Sequence, residues 1–304
     1  MSLRRFTSIA VAVASCLARS GTAQLPTKPD LLWEKMVAEV TGIAARHDGV
    51  MGISILDLTD HRSFVLNGDQ VFPTASTIKL PLLVELYRQD QEGDGARLLD
   101  HYTANRADLV EGSAIMRGLS PGVSMVTNHD LAQFMVAVSD NAAANVLMAR
   151  VGMQKVNAML RAQGLTQTTL RRRMMDLAAA QRGDENVSTP RELTRVLELV
   201  SSGAILKPAA TQALLEQLAT DKDGYLPRRL PPEVRVANKP GSLDGVRVDA
   251  GIVYTAHRPF AIAVMTTMDR DERAAEDAIG AVALAAFRFF DMVGRTSPYG
   301  RVMP

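Results

Sequence analysis

Residues 234–267 read VRVANKPGSLDGVRVDAGIVYTAHRPFAIAVMTT. Val234–Ala237, Val248–Thr255 and Phe260–Thr267 are β-branched and apolar runs, separated by polar and Pro-Gly segments. That is the pattern of three consecutive strands. Connections this short join only antiparallel neighbours. Downstream, Asp271 to about Met292 is Ala-rich and places Ile279, Val282 and Phe287 at helical spacing. Upstream, Val50–Leu58 and Ser63–Leu66 read as two more strands, joined by the polar turn Thr59–Arg62. Before them, Asp30–Arg46 carries Leu32, Met36, Val40 and Ile43 on one helical face. Between the two strand groups, about 76–230 is helical in pattern, broken at Glu92–Gly95 and Ser120–Gly122. The expected fold is therefore α+β. A five-stranded antiparallel sheet is flanked by N- and C-terminal helices, with an all-helical domain inserted between strands 2 and 3. The α/β part would take residues 29–72 and 231–304, and the insert residues 73–230. A crevice between sheet and insert is the natural place for a ligand.

Composition narrows the function classes. The chain has 304 residues, 47% hydrophobic and 22% charged, with 34 Lys+Arg against 33 Asp+Glu. A net charge of +1 gives no general attraction to nucleic acid. The single cysteine, Cys16, excludes an intramolecular disulfide. His47, His61, His101, His129 and His257 show no metal-ligand spacing, so neither metal nor other cofactor is expected. Residues 1–23 form an export signal: Arg4-Arg5, an apolar run too short to span a bilayer, then Gly21-Thr22-Ala23. Cleavage after Ala23 would release residues 24–304 to the periplasm or medium. Val13-Ala14-Ser15-Cys16 offers the alternative of a lipobox and a lipid anchor on Cys16. No further transmembrane segment is expected, and the mature chain is expected to be a monomer.

Three short motifs carry chemistry. Ser76-Thr77-Ile78-Lys79 opens a helix, where residues three apart share a face. A buried, neutralised lysine can then take the proton from a serine nucleophile. Ser139-Asp140-Asn141 lies between two helical segments: Ser139 could carry a proton to a leaving nitrogen, Asn141 offers an amide to a substrate carbonyl, and Asp140 would tie the turn. Lys239-Pro240-Gly241-Ser242 follows a strand; its ammonium would draw a carboxylate, and Gly241 would let backbone approach ligand. Alone, each motif also fits an ordinary helix start, a capped helix junction or a Pro-Gly turn. Pro81 is expected to bend the helix that Ser76 opens.

Together, with 63 positions from Ser76 to Ser139 and 100 from there to Lys239, these motifs resemble the set of class A β-lactamases and penicillin-binding proteins. The resemblance runs from about Asp30 to the end and includes Ser139–Asn145 and Gly183-Asp184-Glu185…Thr189-Pro190. It implies Ser76 as acylated nucleophile, Lys79 as its proton partner, and Ser139 with Lys239 as a proton relay. It further implies that Asn141 binds the substrate amide, and that the backbone N–H groups of Ser76 and Ser242 form the oxyanion hole. Arg247 would be a second anchor for the substrate carboxylate.

Two positions depart from that family. Efficient β-lactamases carry a Glu ahead of the Gly-Asp-Glu stretch, with an Asn four residues on. Counting back from Gly183, Met174 and Ala178 fall there. Asp176 is the first candidate for a substitute base, ahead of Glu111, Asp184 and Glu185. Pro240 stands where a Thr or Ser hydroxyl is usual. Acylation machinery is thus expected to be present and deacylation machinery altered. The readings that follow are a β-lactam hydrolase with slow turnover, a D-Ala-D-Ala carboxypeptidase of the penicillin-binding type, and a β-lactam sensor that stops at the acyl-enzyme. The partner in each case is a small β-lactam or D-Ala-D-Ala peptide.

Overall fold

The computed structural model describes residues 25–297 and 299–303; the export-signal and Cys16 expectations lie outside them. Thr27 starts the first helix by a capping box with Asp30, with Pro29 in the first turn. Helix α1 (Lys28–Arg46) leads into β1 (Val50–Asp57), β2 (Ser63–Leu66) and the short β3 (Phe72–Pro73). A 3₁₀ turn, Ala75–Ile78, runs into α2 (Lys79–Glu92), followed by β4 (His101–Thr103) and β5 (Met125–Thr127). Then come α3 (Asn128–Ala137), α4 (Asn141–Val151), α5 (Met153–Ala162), α6 (Leu177–Gln181) and β6 (Val187–Ser188). Helices α7 (Pro190–Ser201) and α8 (Pro208–Leu218) precede β7 (Val236–Leu243), β8 (Val246–Val253), β9 (Phe260–Thr267) and α9 (Glu272–Gly294).

The main sheet has five strands in the order β2-β1-β9-β8-β7, every neighbouring pair antiparallel. Strand alternation sorts its residues between two cores. Ile53, Ile55, Phe260, Ile262 and Val264 face α1 and α9, where Trp33, Phe289 and Phe290 pack edge-to-face and Phe260 stacks on Phe290. Val248, Ala250, Ala261, Ala263 and Met265 face the helical layer with Ile78, Leu82, Leu131, Leu147 and Leu197. Both faces being covered, β8 is buried at all eight positions, so it reads as a nearly continuous apolar run.

Three expectations change. The insert is not all-helical: β4 pairs with β5, and β3 with β6. Lys239-Pro240-Gly241-Ser242 is not a turn after a strand but the middle of β7, and the turn is Asp244-Gly245. Pro240 is tolerated because β7 is an edge strand, where one row of N–H groups has no ladder partner. Finally, the α-helix begins at Lys79 and not at Ser76. Pro81 then lies in its first turn, where a missing N–H costs least, and the α-helix runs unbroken through it from Lys79 to Glu92, without the interruption that a bend at Pro81 would bring.

Candidate active site

Ser76 sits half-buried on the 3₁₀ turn at the foot of α2, the helix packed in the middle of the insert. Its neighbour Ala75 has φ +48°, a left-handed conformation costly for a residue with a Cβ. The turn is held on three sides. Thr77 Oγ1 donates to the Lys239 carbonyl at 3.1 Å. Thr74 donates from both N and Oγ1 to the Asn186 carbonyl, at 2.9 and 3.0 Å. Gly241 of β7 abuts the turn so closely that a Cβ there would stand 2.7 Å from Ser76 N. Only glycine fits, and the edge strand therefore runs directly alongside the Ser76 backbone.

The second element is the α3–α4 junction. Asp140 is fully buried and caps α4 by accepting from Ala143 N. Its other oxygen accepts from Ile115 N (2.8 Å) and Met116 N (3.0 Å). So tied, the junction presents Ser139 with φ +56°, a second strained non-glycine residue at this site.

The two lysines meet at Ser139. Lys79 Nζ, 1% exposed, donates to Ser139 O (2.6 Å), Ser139 Oγ (3.1 Å) and Asn141 Oδ1 (2.8 Å). Lys239 Nζ, equally buried, donates to Ser139 Oγ (3.1 Å) and Pro240 O (2.8 Å). Burial, then the charge of Lys239, drives the Lys79 pKa well below that of a free lysine, against a smaller opposing pull from Asp140. Burial brings Lys239 down to about 7, with Asp249 raising it and Lys222 lowering it. Burial and the neighbouring ammonium work against the charge on Lys79, while its three acceptors favour it; its bonds go to Ser139 and Asn141, and none joins it to Ser76, one turn away. A hydroxyl shared by two amines is a path for a proton. The amide of Asn141 donates to Glu111 O at 3.0 Å while its oxygen faces Lys79. Ser242 is exposed on β7, next to Gly241.

The loop before β6 is closed at its neck by Arg172 and Glu185, 2.8 Å apart, and by Asn186, whose Oδ1 accepts from Arg171 N and Arg172 N. Inside it, Asn145 of α4 grips Met174 at both backbone groups: Met174 N donates to Asn145 Oδ1 (2.8 Å) and Asn145 Nδ2 to Met174 O (3.1 Å). The Met174 side chain is 7% exposed and belongs to the helical core. The candidate bases are engaged or exposed. Asp176 is exposed and caps α6 by accepting from Ala179 N. Glu185 pairs with Arg172, Asp184 is exposed beside Arg182, and Glu111 is exposed.

Arg247 requires a correction. It is not available as a carboxylate anchor. Its Nε donates to Glu276 Oε1 (2.9 Å), its Nη2 to Glu272, and its Nη1 to Leu243 O and Val246 O. At 8% exposure, the guanidinium is spent on pinning β8 and its turn to α9. Among residues that sequence reasoning missed, Asn145 and Asn186 hold the loop, and Asp249 and Lys222 act on Lys239. A buried asparagine is the one signal available for the first two; the last pair has none in sequence.

The model of the "Beta-lactamase enzyme family" matches residues 35–290, most of the chain. This chain belongs to that family. A β-lactamase of Streptomyces fradiae is 26% identical, the match covering 91% of this chain and 92% of the relative. β-Lactamase L2 of Stenotrophomonas maltophilia is 29% identical over 78% of this chain and 80% of its own length. Among solved structures, an ancestral class A β-lactamase superposes with TM-score 0.78 at 27% identity, covering 84% of this chain and 100% of that one. PBP-A superposes with TM-score 0.76 at 25% identity, covering 84% and 96%. The fold is that of the serine β-lactamases, and the chain is a class A β-lactamase-like serine hydrolase. Among the described residues, no helix is long and apolar enough to cross a membrane.

Proposed function

We propose that this hydrolase is acylated by β-lactams at Ser76 and releases the acyl group slowly. Lys79, whose burial and whose neighbour Lys239 disfavour its charged form, takes the Ser76 proton as the oxygen attacks the lactam carbonyl. The backbone N–H groups of Ser76 and Ser242 hold the resulting oxyanion. Ser139, bonded to both lysines, delivers a proton to the leaving nitrogen and is reprotonated through them. Lys239 receives the substrate carboxylate, and Asn141 the side-chain amide.

The slow release is supported by the residue that counting back from Gly183 matches to the family's deacylating Glu: it is Met174, held at its backbone by Asn145, and a thioether accepts no proton from water. The same observation favours a second reading, D-Ala-D-Ala peptidase activity on cell-wall peptides. It is supported by the likeness to PBP-A, a variant of which was solved as its penicillin-G acyl-enzyme, with TM-score 0.76 and 25% identity. Export before Gln24 fits either reading. A fluorescent penicillin tests the assignment. The wild-type chain takes up one label, and Ser76→Ala takes up none. Labelling that survives Ser76→Ala overturns the role of Ser76.

A further inference from the structure

On the face of β7 opposite the Lys239 side chain lies a buried polar cluster that the reaction above does not use. Asp249 of β8 is fully buried. Its carboxylate accepts from Tyr225 N and Leu226 N, both at 2.9 Å, and from Asn238 Nδ2 at 2.8 and 3.0 Å. Asn238 immediately precedes Lys239 and pairs in register with Gly251, where a Cβ would stand 2.5 Å from the Asn238 Cβ. The oxygen of Asn238 faces Lys222 Nζ at 3.5 Å, and that ammonium also donates to Leu218 O at 2.6 Å. A carboxylate with this many donors is costly to bury and is not needed to close a strand pair. The site has in turn lost two other means of holding a carboxylate, since Arg247 is spent on Glu272 and Glu276 and residue 240 is a proline.

We propose that Asp249, through Asn238, is a positioning residue that keeps Lys239 a cation for the substrate carboxylate, with Lys222 as the opposing charge. The proposal rests on the reading of Lys239 as that anchor. On its own face Lys239 meets Ser139, whose hydroxyl it shares with Lys79, and Asp140 is buried beside that junction; from across β7, Asp249 and Lys222 act on it by charge. Asp221 and Asp223, on either side of Lys222 in the chain, are exposed. Burial raises the Asp249 pKa to about 6, so it is ionised over the range in which Lys239, at about 7, loses its proton.

The test is the pH dependence of acylation by a fluorescent penicillin, read alongside the ¹³Cε NMR titration of Lys239, assigned by its loss in Lys239→Ala. Asp249→Asn is expected to move the basic limb, and the titration with it, to lower pH by about one unit; Lys222→Gln is expected to move both to higher pH. A cluster that serves only to stabilise the fold moves neither. Unmoved limbs in the folded variants, or shifts of the same sign, overturn the proposal. Should Asp249→Asn fail to fold, Lys222→Gln alone decides, because Lys222 is only half-buried. The titration needs no substrate. Opposite NMR shifts without acylation would sink the reaction assigned to Ser76 and leave this inference standing.

Discussion

Replacing Met174 by Glu supplies the group that the loop lacks, in a backbone already gripped by Asn145. The grip is to main-chain atoms, so it survives the change of side chain. The new carboxylate would occupy a position only 7% exposed, which raises its pKa and improves it as a base toward water. A positioned general base contributes on the order of 10²–10⁴ in rate, so the acyl-enzyme lifetime should fall by about that factor. The stability cost follows from the same burial: a methionine leaves the helical core and a carboxyl enters it, for roughly 2–3 kcal/mol. At about 2–4 °C per kcal/mol for a chain of this size, Tm drops by about 4–12 °C. The assay is intact-mass spectrometry of the penicilloyl-enzyme after excess drug is removed, with Met174→Gln as a control of similar shape and no base. An unchanged lifetime in a folded Met174→Glu variant would refute the placing of residue 174 at the deacylating position. An equal gain in Met174→Gln would refute the base argument.

Asn145→Ala removes both bonds that hold Met174 and leaves a buried N–H and C=O unpaired; a loss of about 1–3 kcal/mol and faster proteolysis within residues 173–184 are expected, read by denaturation and limited digestion. Lys239→Met should abolish penicillin labelling and raise Tm near pH 7. The Lys239 pKa is lower folded, at about 7, than unfolded, near 10.5, so below pH 7 its burial opposes folding in full, and the penalty fades as pH rises from about 7 to 10.5. Melting curves across that range should therefore show the variant's advantage shrinking with pH. Arg247→Ala strips partners from Glu272 and Glu276 and should lower stability without raising KM for a carboxylate-bearing cephalosporin.

Strand β9 is legible in sequence to the residue, Phe260–Thr267, because an apolar run between polar turns has one reading when both faces are buried. Strand β7 is not, because Lys-Pro-Gly-Ser in isolation reads as a turn; only its place at the sheet edge makes a proline acceptable. The paired strands β3–β6 and β4–β5 are two or three residues long, too short to carry a period. At the site, Ser76, Lys79, Ser139 and Lys239 were readable as types at a spacing, and the structure brings both lysines to the Ser139 hydroxyl. Arg247 was misjudged because its partners, Glu272 and Glu276, lie 25 and 29 residues away on α9. A depressed Lys79 is what the chemistry of Ser-x-x-Lys asks for, but a depressed Lys239 has no signal in sequence, because its burial and the charges of Asp249 and Lys222 around it are tertiary facts.

Acylation at Ser76 with slow release has a direct kinetic signature. Purified chain mixed with a chromogenic cephalosporin, followed at once by product absorbance and intact mass, tests it most directly. A burst of about one product per enzyme and a lasting adduct that maps to Ser76 are expected. Sustained rapid turnover with no adduct would contradict slow release, and would require a deacylating base other than residue 174.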